Sequence, residues 1–208
     1  MLNSYKEVIT YINNLKTKPR LLLHSCCAPC SSHTILLLKQ HFLVTIYYDN
    51  DNISPKSEFD KRLEEQITLA KQLGVEVISD NYDESRYDEA VKGLEHLGEK
   101  SLRCYNCYLL RLTRTAQAAK RLGFEYFTTT LSISPYKVSK WINEIGLNLE
   151  KTYNVNFLYS DFKKGEGYKH SIELSKTYNL YRQDYCGCKY SYAEMIEKRH
   201  LNEQNENN

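Results

Sequence analysis

The chain has 208 residues, 41% of them hydrophobic, a length that predicts one domain with a hydrophobic core of its own. Its 28 Lys and Arg residues nearly balance 26 Asp and Glu residues, so the net charge does not indicate a nucleic-acid-binding protein, although a local basic face remains compatible with one. Residues 1–6 lack the apolar region of a signal peptide and no apolar run is long enough to span a bilayer. We therefore expect a reducing, cytoplasmic location without a membrane partner.

Helical and strand patterns alternate along the chain. Apolar residues at helical spacing follow Tyr5, and this first helix ends before Pro19. Leu21–Leu23 is a short apolar strand that runs into a loop at His24. Further on, we expect helices over 31–40, 59–73, 104–123, 138–145, 168–179 and 190–200, and strands over 42–48, 75–79, 124–131 and 155–159.

Three local expectations accompany these elements. The apolar inner face of the third predicted helix spans 59–73. Ser54 is a candidate N-cap for this helix, and Pro55 would be its first residue. Residues 83–100 are highly charged and predict a poorly packed helix, whereas Trp141 predicts a core position. Residues 201–208 are polar and without periodicity, and we expect a disordered tail there.

The alternation predicts an α/β three-layer sandwich with a mostly parallel five-stranded sheet. Residues 1–200 would form a single metal-binding catalytic domain. In parallel sheets, sites form at the carboxyl ends of the strands. Candidate polar or thiol groups follow four of the predicted strands, at Cys26 and Cys27, Asp49, Thr130–Ser134 and Asp161. They should therefore meet at one edge of the sheet.

All seven cysteines fall into three tight groups, in the segments Cys26-Cys27-Ala28-Pro29-Cys30, Cys104-Tyr105-Asn106-Cys107 and Cys186-Gly187-Cys188. In a reducing compartment such spacing indicates metal or redox chemistry rather than structural disulfides.

Four thiolates, from Cys26, Cys27, Cys104 and Cys107, satisfy the requirement of a [4Fe–4S] cluster for four ligands. Cys104 and Cys107 are one helical turn apart and share a face. A structural zinc ion accepts the same four thiolates, but zinc sites draw on pairs separated by two to four residues, and Cys26-Cys27 is not such a pair. We favour the cluster.

Cys186 and Cys188 are separated by one glycine, which permits a small, strained disulfide. Strained disulfides tend to be the redox-active ones, so we interpret this pair as redox-active, with two further metal ligands as the alternative. Cys30 is either a spare ligand or a structural thiol at the start of a helix.

Four motifs occur in one order: His24-Ser25-Cys26-Cys27-Ala28-Pro29-Cys30-Ser31, Arg103-Cys104-Tyr105-Asn106-Cys107-Tyr108, Thr129-Thr130-Leu131-Ser132-Ile133-Ser134-Pro135-Tyr136-Lys137 and Gln183-Asp184-Tyr185-Cys186-Gly187-Cys188. Over residues 20–195 the chain resembles the cobalamin-independent epoxyqueuosine reductases. The second loop departs from the family's expected Asn-Pro-Asn-like run and reads Asp49-Asn50-Asp51-Asn52.

The resemblance implies a fold of the nucleotide-binding superfamily that includes the PP-loop enzymes. It implies reduction of epoxyqueuosine at the tRNA wobble position to queuosine, the last step of queuosine biosynthesis, with tRNA and an external electron donor as partners. It further implies an iron–sulfur cluster on Cys26, Cys27, Cys104 and Cys107, a redox-active pair at Cys186 and Cys188, and an additional iron ion.

The reduction needs a proton donor for the leaving oxygen, and Asp49, Asp184 and Tyr185 are the candidates. The tRNA substrate needs cations for its phosphates, and six basic residues are candidates for that contact: Arg111, Arg114, Lys120, Arg121, Lys137 and Lys140. For each of these residues an ordinary structural role is the alternative.

Two other functions fit parts of the sequence. An ATP-using tRNA thiolase on the same fold needs glycine amides around the phosphates after the first strand, but 25–30 contains no glycine and includes a proline. A zinc-stabilised binding module is the second alternative. The six histidines have no ligand spacing and are expected to be structural.

Overall fold

The computed structural model describes residues 2–206, with side chains described for 2–201. The elements in chain order are α1 Tyr5–Asn13, β1 Arg20–His24, α2 Ala28–Leu38, β2 Leu43–Tyr48, α3 Lys56–Leu73, β3 Glu76–Ser79, α4 Glu84–Val91, α5 Leu102–Arg121, β4 Tyr126–Thr129, a 3-10 helix Thr130–Ile133, α6 Ser139–Tyr153, β5 Asn156–Phe157, α7 Gly167–Thr177 and α8 Lys189–Glu206.

The five strands form one parallel sheet in the order β3-β2-β1-β4-β5. The first strand is central, and the chain crosses from one half of the sheet to the other after β3. Crossover connections between parallel strands need helices, which accounts for the alternation in the sequence. The predicted five-stranded parallel sheet is confirmed.

The central strand contributes to two cores on opposite faces of the sheet. Leu21 and Leu23 are fully buried among residues of α1, α2 and α3, whereas Leu22 is buried against α5 and α6. Successive side chains of a strand point to opposite faces, so an uninterrupted apolar run is what a strand covered on both sides requires. These two cores confirm the three-layer architecture.

Two helix starts differ from the prediction. Helix α2 begins at Ala28 rather than Ser31, with Cys27 in extended conformation before it and Pro29 in its first turn, where a missing N–H costs nothing. Helix α3 has Pro55, not Ser54, at its N-cap. The backbone N–H of Ser54 instead donates to the carbonyl of Gly187, which ties this turn to the loop of the last two cysteines.

Two element ends also differ. The hydroxyl of Thr129 accepts a hydrogen bond from the N–H of Leu131 and so starts a 3-10 turn that ends β4 earlier than expected. Helix α8 continues to Glu206, into the segment for which we expected a disordered tail, because its Glu, Lys, Arg and Gln residues are good helix formers. The rest of that predicted tail, 207–208, lies outside the described residues.

Trp141 is half-buried, edge-on to Tyr105, rather than fully in the core.

Gly146 in α6 gives a test of the packing between this helix and β5. A Cβ at Gly146 would lie 2.3 Å from the ring of Phe157, which is buried. Gly146→Ala should therefore lower the free energy of unfolding by about 1 to 3 kcal/mol, despite the better helix propensity of alanine. A denaturant titration measures it. Gly98→Ala, where the added Cβ meets nothing within 4 Å, is the matched control and should stay within about 0.5 kcal/mol of the wild type. Equal stability of the two variants would contradict this packing.

His33 gives a test of the contact between α2 and α7. Its Nδ1 lies 2.9 Å from Nδ1 of His170, and burial, together with the charge of His170, lowers the pKa of His33 to about 4. The pKa of His33 in the folded chain lies below its unfolded value of about 6.5. The neutral ring therefore contributes its full stabilisation of the fold above about pH 6.5, and this contribution is lost as the pH falls toward 4.

Lowering the pH from about 7 to about 5 should therefore cost about 1 to 2 kcal/mol of stability through this group. In His33→Gln the acid-dependent loss, measured by denaturant titration at both pH values, should shrink by that amount. If His33→Gln lost as much stability on acidification as the wild type, the acid sensitivity would come from other groups.

Candidate metal and redox site

The carboxyl ends of three strands lie side by side. In the sheet register His24, the last residue of β1, is paired with Tyr47 of β2 and with Thr129 of β4. The loops that follow these strands therefore start next to one another. This arrangement brings the first cysteines, Asp49 and the 3-10 turn to one edge of the sheet, as the strand pattern predicted.

Three thiols form a tight group at this edge. The sulfur atoms of Cys26, Cys27 and Cys30 all lie within 4.8 Å of one another, and among the described residues this is the group of His, Cys, Asp or Glu side chains that could hold a metal ion. Because α2 begins at Ala28, Cys30 lies in its first turn, where side chains lean back toward the N-terminus of the helix. Cys30, for which the sequence left two roles open, therefore belongs to the first thiol group. The amide of Gln183 donates to the sulfur of Cys27 at 2.9 Å.

The three thiols differ in acidity. Hydrogen bonds from Cys27 and Cys30 hold the pKa of Cys26 well below its usual range, and the positive charge of Arg111 adds to this effect against the burial of the sulfur. Burial raises the pKa of Cys27 to about 12, and the hydrogen bonds that Cys30 makes to the other two thiols raise its pKa as well. Cys26 is therefore the most acidic thiol of the group.

Cys104 and Cys107 lie in the first two turns of α5. Cys107 is buried with Cys188 and Tyr87 in a small cluster, and burial raises its pKa to about 11. Cys104 packs against the same core as Cys26, between the sheet, α5 and α6. Neither Cys104 nor Cys107 is part of the close group of three thiols. The four-thiolate ligand set predicted from the sequence thus stays a prediction.

Cys186 and Cys188 lie between α7 and α8 and are free thiols. Gly187 between them has φ +120°, and a Cβ there would lie 3.1 Å from the guanidinium of Arg62, so the position favours glycine. A hydrogen bond from Cys188, followed by the charge and the hydrogen bond of Lys137, lowers the pKa of Cys186 well below its usual range. The same hydrogen bond raises the pKa of Cys188. One thiol of the pair is therefore acidic and its neighbour is not.

A buried guanidinium lies between the cysteine groups. Arg111 on α5 is 3% exposed, its Nη2 donates to Oδ1 of Asn50 at 2.7 Å, and its Nε donates to Nε2 of His24 at 3.3 Å. Since arginine only donates, His24 must carry its proton on Nδ1, which then donates to the hydroxyl of Thr129 at 2.8 Å. Burial and the charge of Arg111 lower the pKa of His24 to about 3, so this ring is neutral.

Arg111 has no carboxylate partner among the ion pairs of the described residues. Its pKa is raised by the negative charges of Cys26, Cys107 and Cys186, which outweigh its burial. One residue from each of the three cysteine groups thus acts on the same cation. A buried cation surrounded by thiols fits an anionic iron–thiolate centre.

The three residues expected to donate a proton are all engaged. Asp49 forms two hydrogen bonds to Arg114, and burial raises its pKa although Arg114 opposes this shift. Asp184 pairs with Arg199. The hydroxyl of Tyr185 donates to the carbonyl of Ser54 at 2.9 Å. Among the described residues, no hydrogen bond or ion pair joins the side chain of any of them to a thiol.

The six basic residues expected at the tRNA divide into two sets. Arg111 is buried, Arg114 binds aspartates and Lys137 contacts Cys186, so these three act inside the fold. The other three, Lys120, Arg121 and Lys140, are exposed. Sequence reasoning named all six as candidates for phosphate contacts, because residue type and spacing do not reveal which basic side chains contact aspartates or thiols inside the fold.

The sequence matches the family described as "Epoxyqueuosine reductase QueH" over residues 21–194. The chain belongs to this family. Relatives named epoxyqueuosine reductase QueH include one from Streptococcus pyogenes, 41% identical over 84% of this chain and 71% of its own length, and one from Staphylococcus aureus, 41% identical over 91% and 82%. A third, from Thermotoga maritima, is 39% identical over 86% and 93%. These relatives confirm the resemblance carried by the four motifs, and with it the assignment to the oxidoreductases.

Two solved structures share the fold. One is the U34-tRNA thiolase NcsA from Methanococcus maripaludis with its [4Fe-4S] cluster, with a TM-score of 0.55 and 12% identity over 89% of this chain and 67% of that chain. The other is a predicted subunit of a tRNA methyltransferase from Methanocaldococcus jannaschii, with a TM-score of 0.52 and 16% identity over 75% and 74%. At these identities the two likenesses concern the fold alone. In the described residues of this QueH family member, no helix is long and apolar enough to cross a bilayer.

Arg111 gives a test of the charge balance at this site. Arg111→Met removes the buried cation and should weaken metal retention about 10-fold or more, because groups that surround a metal site contribute on that scale. Iron and acid-labile sulfide per chain, measured after anaerobic dialysis against a chelator, report the loss. Arg121→Met, an exposed arginine on the same helix, is the control. Full retention of iron by Arg111→Met would show that the cation does not support the centre.

Proposed function

We propose that this QueH family member reduces the epoxide of epoxyqueuosine, at the wobble position of tRNA, to the alkene of queuosine. The observation that carries the proposal is membership of the family, with relatives about two-fifths identical over most of both chains. The thiols at the sheet edge support it, because a reductase needs a source of electrons and this site offers little besides sulfur.

The proposal includes a [4Fe–4S] cluster held by Cys26, Cys27, Cys104 and Cys107. Two observations support it: the sulfur atoms of the first thiol group lie within 4.8 Å of one another, and Arg111 provides a buried positive charge without a carboxylate partner. The fold is shared with a thiolase described with such a cluster. When bound, an iron–sulfur centre supplies single electrons and a Lewis acid.

The sulfur of Cys30 lies within 4.8 Å of those of Cys26 and Cys27, so Cys30 is an alternative ligand or a hydrogen-bond donor to the ligating sulfurs. The described residues contain one close group of ligating side chains, and they add no support for the additional iron that the resemblance implied.

The cysteine pair supplies the right number of electrons. Closing two thiols to a disulfide releases two electrons and two protons, and removing an epoxide oxygen as water consumes two of each. We propose that Cys186 and Cys188 form this redox pair, with an external donor reducing the disulfide after each turnover. Their arrangement supports this, since Cys186 is half-buried and acidic while Cys188 is buried beside it. Cytoplasmic thiol reductants would keep the pair reduced.

The tRNA substrate must present its base to a recessed site. We propose that the modified base leaves the anticodon stack to reach the sheet edge, as base-modifying enzymes require. The exposed residues Lys120, Arg121 and Lys140 remain candidates for phosphate contacts.

A test of the proposed function uses Cys186→Ser. In an anaerobic assay on epoxyqueuosine-containing tRNA, turnover should be abolished, because one thiol alone cannot close a disulfide. The iron and sulfide content, and the broad absorbance of the cluster near about 400 nm, should equal those of the wild type. Ser191→Ala, close to Cys188 but outside the redox pair, is the matched control for local packing.

Two outcomes would count against the proposal. Wild-type protein without activity on this tRNA would remove the assigned reaction. Colourless protein that contains zinc instead of iron would support the zinc-stabilised binding module.

A further inference from the structure

A lysine lies against the redox pair. The Nζ atom of Lys137 is 2.6 Å from the sulfur of Cys186. Lys137 sits in the turn between the 3-10 helix and α6, where its backbone N–H donates to the carbonyl of Ser134. None of the ion pairs in the described residues includes Lys137, so the nearest group that can balance its charge is the sulfur of Cys186.

The groups that face this contact favour the same charge state. Cys188 donates to Cys186 from the same loop, and Arg111 of α5 adds a second positive charge. Tyr108 of α5 also acts on Lys137, but burial raises the pKa of this phenol and keeps it protonated near neutral pH. The charge of the Cys186 thiolate, in turn, raises the pKa of Lys137 against its burial.

We propose that Lys137 holds Cys186 as the thiolate of the redox pair and donates the second proton of the reduction. This inference rests on the proposed function. Lys137 acts through Cys186 and is a positioning residue for that sulfur as well as a proton source for the leaving oxygen.

The proton balance shows why a second source is needed. With Cys186 as a thiolate and Cys188 as a thiol, the pair carries two electrons but only one proton. As the S–S bond forms, both C–O bonds of the epoxide break, the C=C bond forms, and the oxygen leaves as water, which takes two protons. Cys188 gives the first and the ammonium of Lys137 gives the second. The external donor then supplies two electrons and two protons. One proton restores the thiol of Cys188, and the other, directly or through solvent, restores the ammonium of Lys137.

The other candidate acids are occupied elsewhere. Asp49 binds Arg114, Asp184 binds Arg199, and Tyr185 donates to a backbone carbonyl. Lys137 is the charged acid in contact with the sulfur of Cys186, whereas the neighbour of Cys188 is the phenol of Tyr87, whose pKa burial raises well above its usual range.

The first experiment measures the charge state of Cys186 without requiring reductase activity. Anaerobically purified, iron-loaded protein is alkylated with iodoacetamide between about pH 6 and pH 9, and mass spectrometry of the tryptic peptide 183–189 quantifies Cys186 and Cys188 separately. In the wild type the rate at Cys186 should be nearly independent of pH. In Lys137→Met it should rise with pH and be about 10-fold or more lower at neutral pH.

Two variants complete this measurement. Lys137→Arg keeps the positive charge and should restore the flat profile. Lys151→Met, an exposed lysine on α6, should behave as the wild type. A flat, fast profile in Lys137→Met would overturn the inference, whatever the result of the reductase assay.

The second experiment separates the charge from the proton. Arginine does not give up its proton in proteins, so Lys137→Arg should alkylate normally yet lose about 10-fold or more in turnover on epoxyqueuosine-containing tRNA. Lys137→Met should lose at least as much. Wild-type turnover by Lys137→Arg would overturn the role of Lys137 as a proton donor. Failure of the proposed function can be distinguished from failure of this inference. In the first case the wild type would be inactive on this tRNA, while the alkylation profiles of the wild type and the variants would still differ as expected.

Discussion

The site is organised around a positive charge buried among sulfur atoms. A guanidinium taken out of water without a compensating anion is strongly destabilising, and the partners of Arg111 other than sulfur are the neutral side chains of Asn50 and His24. The pKa of Arg111 is raised, against its burial, by its interactions with Cys26, Cys107 and Cys186, so these sulfur atoms are the groups that can balance its charge. The Nζ atom of Lys137 likewise lies 2.6 Å from the sulfur of Cys186. The two interior cations thus favour the thiolate forms of the sulfur atoms beside them.

The parallel sheet gives these groups a rigid frame. Because β1 lies between β2 and β4, the loops after these three strands emerge together, and His24 and Thr129 are hydrogen-bonded across the strands at that point. The long connections bring the other cysteines to the same edge: α5 carries Cys104 and Cys107, and the loop before α8 carries Cys186 and Cys188. Each cysteine group thus comes from a different part of the chain, and the tertiary fold brings the three together.

The fold that carries this site is also found in a tRNA thiolase, yet the loop after β1 differs from a phosphate cradle. A phosphate cradle requires glycine amides that approach the pyrophosphate closely. In this chain the loop reads Ser25-Cys26-Cys27-Ala28-Pro29-Cys30. It contains two consecutive cysteines and a third one helical turn later, and their sulfur atoms form a close group. This loop thus offers thiols where a phosphate cradle would offer backbone amides.

By itself the sequence determined the alternation of strands and helices, the sheet edge at which the site lies, the three cysteine groups and the family, because local spacing and motif order encode them. The first turn of α2 was misjudged, because Pro29 is as compatible with a loop as with a helix start, and the choice between the two roles of Cys30 was left open. Tertiary structure alone decided that Arg111 and Lys137 face thiols rather than phosphates, that Asp49 is held by Arg114, and that Cys107 packs beside Cys188. These are contacts between residues far apart in the chain, and the direction in which a charged side chain points depends on what packs around it, which no local pattern records.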